Sequence, residues 1–200
     1  MQMMYADIRL DWPAWLPEWL LAHAGSYPDH NARMRMVIEL ARLNMEQGSG
    51  GPFGAAVFDM NTHTLIAAGM NRVIPCGASI AHAEIMAITA AQQLLGSFDL
   101  SAPGLPRCEL TTSCQPCAMC FGAIPWSGIR QLICGARDTD ARAIGFDEGP
   151  RHPDWVGELH ARGISVKIDV CRHEAVGVLQ QYAVHSGAIY NAGIAPMDGR

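Results

Sequence analysis

The run Thr111-Thr112-Ser113-Cys114-Gln115-Pro116-Cys117-Ala118-Met119-Cys120, taken with His82-Ala83-Glu84 upstream, holds the residues best suited to chemistry. Proline is well tolerated at a first helical position, where its missing N–H had no partner. The apolar run from Phe121 to Trp126 predicts a helix beginning near Cys117. On that helix Cys117 and Cys120 share a face. Two thiolates and the imidazole of His82 make a three-ligand zinc site whose fourth position stays open to water, the pattern of a catalytic rather than a structural zinc. Side chains two residues apart do not stack on a helix, so Glu84 is not a ligand beside His82. From a first turn it can still reach the water. Cys114 lies before the helix and is read as a neighbour or core residue, since His82 already completes the set.

The elements that must position these residues follow from periodicity. Met34, Val37, Ile38, Ala41 and Met45 mark one helix face, with Asp29 or Asn31 as its cap. Phe53 to Met60 and Thr64 to Met70 read as a hairpin around Asn61-Thr62-His63, a turn expected in solvent. Asn71 follows the second strand. Ser79 is the expected cap of the helix carrying His82 and Glu84, which Gly96 ends. Small residues around that helix (Ala83, Ala87, Ala90) predict burial on several sides. A carboxylate there is expensive without partners, which is a reason to assign Glu84 a function. Arg107 to Ser113 and Arg130 to Ala136 are strands flanking the cysteine helix, a right-handed crossover with parallel pairing. Residues 145–154 are an irregular loop, Trp155 to Arg162 a helix, Ile164 to Asp169 a last strand and Cys171 to about Ser186 a last helix. The expected fold is α/β: a three-layer α/β/α sandwich on a mixed five-stranded sheet. Both metal-bearing helices begin near one region, where their dipoles favour thiolates and anions.

With 200 residues, half of them hydrophobic, the chain is read as a single domain over 1–200. Residues 1–27 form a Trp- and Pro-rich extension (Trp12, Trp15, Trp19, Pro13, Pro17), and 187–200 a tail of turn composition. The extension is either a lid or docking arm, or a segment packed on the domain surface; aromatic residues tend to be covered, which favours packing. The net charge of −5 and the lack of a basic cluster argue against a nucleic-acid partner. Gly48-Ser49-Gly50-Gly51-Pro52 is a turn and not a phosphate loop. No apolar stretch of membrane-spanning length and no secretory signal is evident, and seven cysteines, an odd number, fit a reducing cytoplasm. Cys76, Cys108, Cys134 and Cys171 read as buried or inert thiols.

His-Ala-Glu at 82–84 and Pro-Cys-Ala-Met-Cys at 116–120 make up the H-x-E…P-C-x-x-C signature of zinc nucleobase deaminases. From about Gly51 to Pro150 the chain resembles the cytidine deaminase superfamily. Cys120-Phe-Gly-Ala-Ile-Pro-Trp126-Ser and Gly145-Phe146-Asp147-Glu148 narrow the resemblance to its small guanine deaminases. Gln115 departs from the pattern, since many members carry Glu before Pro-Cys. The resemblance implies one Zn2+ per chain on His82, Cys117 and Cys120, with Glu84 as proton shuttle. It implies that Asn71 hydrogen-bonds the substrate ring and that Phe53 and Trp126 contact a purine. Glu148 would recognise guanine and help move a proton, Asp147 is its competitor, and Tyr190 would reach over the site. It further implies a homodimer acting on a small heterocycle in purine catabolism. Other readings remain open: an aminotriazine, cytosine, nucleoside or tRNA-adenosine deaminase, or a zinc-stabilised binding module without activity. A fourth protein ligand, Cys114, would mark the last.

Overall fold

The computed structural model describes residues 8–185 and 187–193. The ends of the expected extension and tail, residues 1–7 and 194–200, and the expected helix end at Ser186, lie outside them.

Eight helices and five strands are found among the described residues. The order is α1 (Leu16–Ala22), α2 (His30–Glu46), β1 (Gly54–Asp59), β2 (Leu65–Met70), α3 (Val73–Cys76), α4 (Ala83–Leu95) and β3 (Cys108–Cys114). It continues with α5 (Ala118–Ser127), β4 (Gln131–Ala136), α6 (Asp138–Ala143), α7 (Trp155–His160), β5 (Ser165–Lys167) and α8 (Arg172–Val184). The sheet runs β2-β1-β3-β4-β5. β1 pairs antiparallel with both β2 and β3, while β3–β4 and β4–β5 are parallel. This is the expected mixed five-stranded sheet, and the parallel pairs follow from the helices that connect them. The short helices α3 and α6 carry too little periodicity to announce themselves.

The alternation of a strand sorts side chains to two faces. Ala55 and Val57 of β1 join Ala83, Ala87 and Ala91 of α4 and Ile124 of α5 on one side. Ala56 and Phe58 join Val37 and Leu40 of α2 and Leu16 and Trp19 of α1 on the other. The rest of that second side is α8 against Met34, Ile133 and Phe146. The N-terminal segment therefore packs here through Leu16 and Trp19, while Trp12 stays exposed. Only alanine-sized contacts let α4 approach this closely; a Cβ on Gly69 of β2 would strike the backbone of Ala83 and Ala87.

One charge pair crosses the core. Arg33 donates to Glu109 at 2.9 and 3.3 Å, with each side chain 2% exposed. Thr111 Oγ1 donates to the same carboxylate at 2.7 Å. Such a pair is tolerated because its lone pairs and protons are satisfied, not because burying charge is favourable.

Candidate active site

Two helix starts converge beside the ends of β2 and β3. His82 is the N-cap of α4 and Cys117 the N-cap of α5, both in extended backbone. The α4 helix thus starts without the expected Ser79 cap: Ser79 lies three residues ahead of the N-cap and lines the cavity instead. Cys120 sits in the first turn of α5 and Glu84 in that of α4. The side-chain donors of His82, Cys117 and Cys120 lie within 4.8 Å of one another. Both sulfurs approach His82 Nδ1, at 3.5 and 3.7 Å. Among the described residues no other such cluster occurs. Cys114 is not part of it: its thiol faces the Arg137 carbonyl at 3.5 Å and burial pushes its pKa well up. The fourth-ligand criterion for a structural site is therefore not met.

The donor chemistry fits zinc. The hydrogen bond from Cys120 outweighs burial and, with His82, draws the Cys117 thiol down to about 4. Cys120 is pushed well up, first by that same bond to Cys117 and then by burial. The pair readily accommodates one negative charge and resists a second, and a divalent cation relieves that conflict. At His82, burial acts downward, but the Cys117 contact and the charge of Glu84 prevail and raise it.

A cavity of about 230 Å³ opens over this cluster. Glu84 forms part of its wall and is 7% exposed. Burial, then the Cys117 thiolate, raises its carboxyl to about 7. Glu148, 8% exposed, is raised to about 8 by burial, then by Cys117 and Glu84. Its carbonyl accepts the Ala118 N–H at 2.9 Å, tying the 145–154 loop to the start of α5. Asn71 is buried in the wall; its Oδ1 accepts from Val73 N at 3.3 Å, leaving the amide nitrogen for a ligand. Phe53 lines the cavity and meets Phe146 edge-on at 5.0 Å. Tyr190 closes the opposite side against Phe146, ring centroids 5.0 Å apart. Its buried hydroxyl has no hydrogen-bond partner among the described residues. Asp147 also borders the cavity, but it is exposed, and its carboxylate accepts the Gly149 N–H at 2.9 Å, so its oxygen serves the turn.

Trp126 does not belong to this site in its own chain. It is 86% exposed and lines two shallower surface grooves among Phe98, Phe121 and Ile85. The α5 sequence is apolar all round, so its pattern could not tell which face turns inward.

Three contributors were not identified from the chain alone. Asn191 brackets Phe146: its Oδ1 accepts from Asp147 N and its Nδ2 donates to the Gly145 carbonyl, each at 2.9 Å. Gln115 Oε1 accepts from Arg151 Nη2 at 3.2 Å, while Arg151 Nη1 holds the Pro116 carbonyl at 2.7 Å. Arg151 also pairs with Asp138 at 3.1 Å. The negative charge facing Arg151 comes from Asp138, so a neutral Gln115 leaves the cysteine turn in place. Of these, only the oddity of Gln115 before Pro-Cys was visible as a signal.

Residues 28–136 match the family described as the cytidine and deoxycytidylate deaminase zinc-binding region. A solved guanine deaminase from Nitrosomonas europaea superposes with TM-score 0.84 at 47% identity, covering 92% of this chain and 99% of that one. A structure solved in complex with 2,6-diaminopurine gives TM-score 0.85 at 49% identity, with coverage of 92% and 97%. The guanine deaminase of Bacillus subtilis (strain 168) is 38% identical over 120 residues, 60% of this chain and 72% of that protein. The match spans the helix starts that carry His82, Cys117 and Cys120, and the chain belongs to the cytidine and deoxycytidylate deaminase zinc-binding family.

Proposed function

We propose that this chain is a zinc-dependent guanine deaminase that converts guanine and water into xanthine and ammonia. The observation that carries the reading is the conjunction of a three-donor cluster with two buried, proton-retaining carboxyls, Glu84 and Glu148, around one small cavity. Similarity at 47–49% identity over nine-tenths of the chain supports guanine over the other amines.

His82, Cys117 and Cys120 would hold a zinc ion, which would supply Lewis acidity enough to lower the pKa of water to roughly 7. Glu84, raised toward neutrality, takes one proton from the attacking water and delivers it to the ring nitrogen, then carries the second proton of that water to the departing amine. Water oxygen bonds to C2, the bond from C2 to the exocyclic nitrogen breaks, and the amine leaves with the second proton as ammonia, the first staying on the ring nitrogen of xanthine. Asn71 and Glu148 hold the ring so that C2 faces the cluster. A carboxyl that keeps its proton near pH 8 can donate or accept at the purine edge, which suits Glu148 to both recognition and proton movement. Phe53 and Tyr190 supply flat apolar walls. Asp147 is a lesser contact at the rim.

The test is ammonia release from the zinc-loaded protein with guanine, guanosine, adenine, cytosine, cytidine and an aminotriazine in parallel. Xanthine from guanine alone is the expected result. Turnover of another amine with none from guanine would refute the assignment.

Several coarser features support finer readings. The family's zinc region covers 28–136, and we read the whole of 1–200 as one deaminase domain. No helix among the described residues is long and apolar enough to cross a membrane; all seven cysteines are unpaired, in keeping with a reducing cytoplasm, and a role in purine breakdown follows from guanine as the proposed substrate. A homodimer would cover the exposed Trp126, Phe98 and Leu94. Sedimentation of Trp126→Glu should then give a monomer, and an unchanged mass would refute that face.

A further inference from the structure

The Trp-rich start of the chain has no part in the chemistry above, yet its hydrogen bonds lead to the cavity. Trp15 Nε1 donates to Ser49 Oγ at 3.1 Å. Ser49 Oγ faces both Asn44 Oδ1 at 2.8 Å and the Asn44 carbonyl at 3.1 Å, and its one proton goes to the nearer, Oδ1. Asn44, fully buried, spends both protons of Nδ2 on two carbonyls, those of Gly51 and of the cavity-lining Asn71, each at 2.8 Å. One amide thus fixes both the strand entry under Tyr190 and the residue expected to hold the purine. The fit is tight. A Cβ on Gly50 would run into the Asn71 carbonyl and Asn44 Nδ2, and one on Gly51 into the Tyr190 hydroxyl.

A second link runs beside the first. Arg72, 8% exposed, donates from Nε to the Asp11 carbonyl at 3.1 Å and from Nη1 to the Ser49 carbonyl. Its own N–H is held by the carbonyl of Ala81, the residue before His82, at 2.8 Å. The N-terminal segment is therefore bonded to both residues that support Asn71, in sequence at Arg72 and in space at Ser49.

We propose that Asn44 is a positioning residue for Asn71 and that residues 11–15 brace it through Ser49 and Arg72. The extension is then neither a lid nor loose packing but an outer support for one wall of the substrate cavity. Asn44 touches no substrate in this arrangement. Its chemistry is nonetheless specific, because only a side chain with two donors and one acceptor satisfies both carbonyls and Ser49. Aspartate, the same shape, would face two carbonyls with negative charge and no proton to give.

The inference rests on the assignment of Asn71 as a ring-binding residue, and the test separates the two. The zinc-loaded full chain is compared with Trp15→Phe, which keeps an aromatic ring but loses the N–H donor with part of the indole, in the parent and in an Asn71→Ala background. Ser49→Ala is the second variant should Trp15→Phe fold poorly. Calorimetry reads the affinity for the guanine analogue 8-azaguanine. Loss of one neutral bond in the relay should weaken binding about threefold in the parent, with no further loss once Asn71 is gone. Asn44→Asp should weaken it by about thirtyfold or more. Equal loss in both backgrounds, or none in the parent, overturns the brace. Amide exchange at Val73, whose N–H is held by Asn71 Oδ1, reads the same placement without a ligand. Faster exchange there in Trp15→Phe at unchanged global stability supports the brace, and unchanged exchange overturns it. A parent that neither binds the analogue nor turns over guanine refutes the assigned activity, and exchange at Val73 still decides the brace.

Discussion

Replacing Tyr190 by phenylalanine separates binding from stability. The ring packs on Phe146 with centroids 5.0 Å apart, and phenylalanine keeps that contact. The hydroxyl is buried at the cavity wall with no partner among the described residues. Its removal breaks no intramolecular bond, so the unliganded protein should change in stability by less than about 1 kcal/mol. A ligand that accepts or donates at that oxygen loses one neutral hydrogen bond, a net of about 0.5–1.5 kcal/mol, or roughly two- to twelvefold in affinity. The assay pairs urea denaturation of the zinc-loaded protein with calorimetric binding of 8-azaguanine. Weaker binding with an unmoved denaturation midpoint is the expected result. Gly51→Ala, whose Cβ would push the hydroxyl aside, should move binding in the same direction and further. Unchanged affinity in Tyr190→Phe, or a loss of stability above about 2 kcal/mol, would refute the view that this hydroxyl is kept for the ligand.

Glu84→Gln should retain stoichiometric zinc by metal analysis while turnover falls about 10²- to 10⁴-fold, the usual worth of a positioned acid–base group; near-normal turnover would remove it from proton transfer. Glu148 has its folded pKa raised from 4.5 to about 8, first by burial. Its contribution to stability is thus fully present below the unfolded value and is lost as pH rises through about 8. With metal removed, Glu148→Gln should flatten the decline in urea midpoint between about pH 5 and pH 9, and a parallel decline in both proteins would argue against the burial effect. Arg33→Met strands Glu109 in the core and should cost about 3–5 kcal/mol in a denaturation curve. Adding Glu109→Leu should recover most of it, since the unpaired charge is then gone; no recovery would mean that packing, not charge, sets the loss.

That His82, Cys117, Cys120 and Glu84 come together was legible in the chain because their information is local. Donor type, a three-residue spacing and a proline before the helix suffice to place Cys117 and Cys120 together, and the alternation of strands with helices suffices for the mixed sheet. His82 had to be brought from 35 residues away, yet its own helix start announced it. What depends on helix phase or on chain crossings was not legible. Trp126 sits on a helix with no polar face, so only packing against α4 decided that it turns outward. Asp147 and Glu148 are neighbours of similar chemistry; the bond from Ala118 N to the Glu148 carbonyl fixes which carboxyl is buried. Asn44, Asn191 and Arg151 act through contacts to backbone carbonyls or N–H groups. Every residue offers a backbone carbonyl and every residue except proline an N–H, so no sequence pattern marks their partners, and the tertiary fold alone selects them.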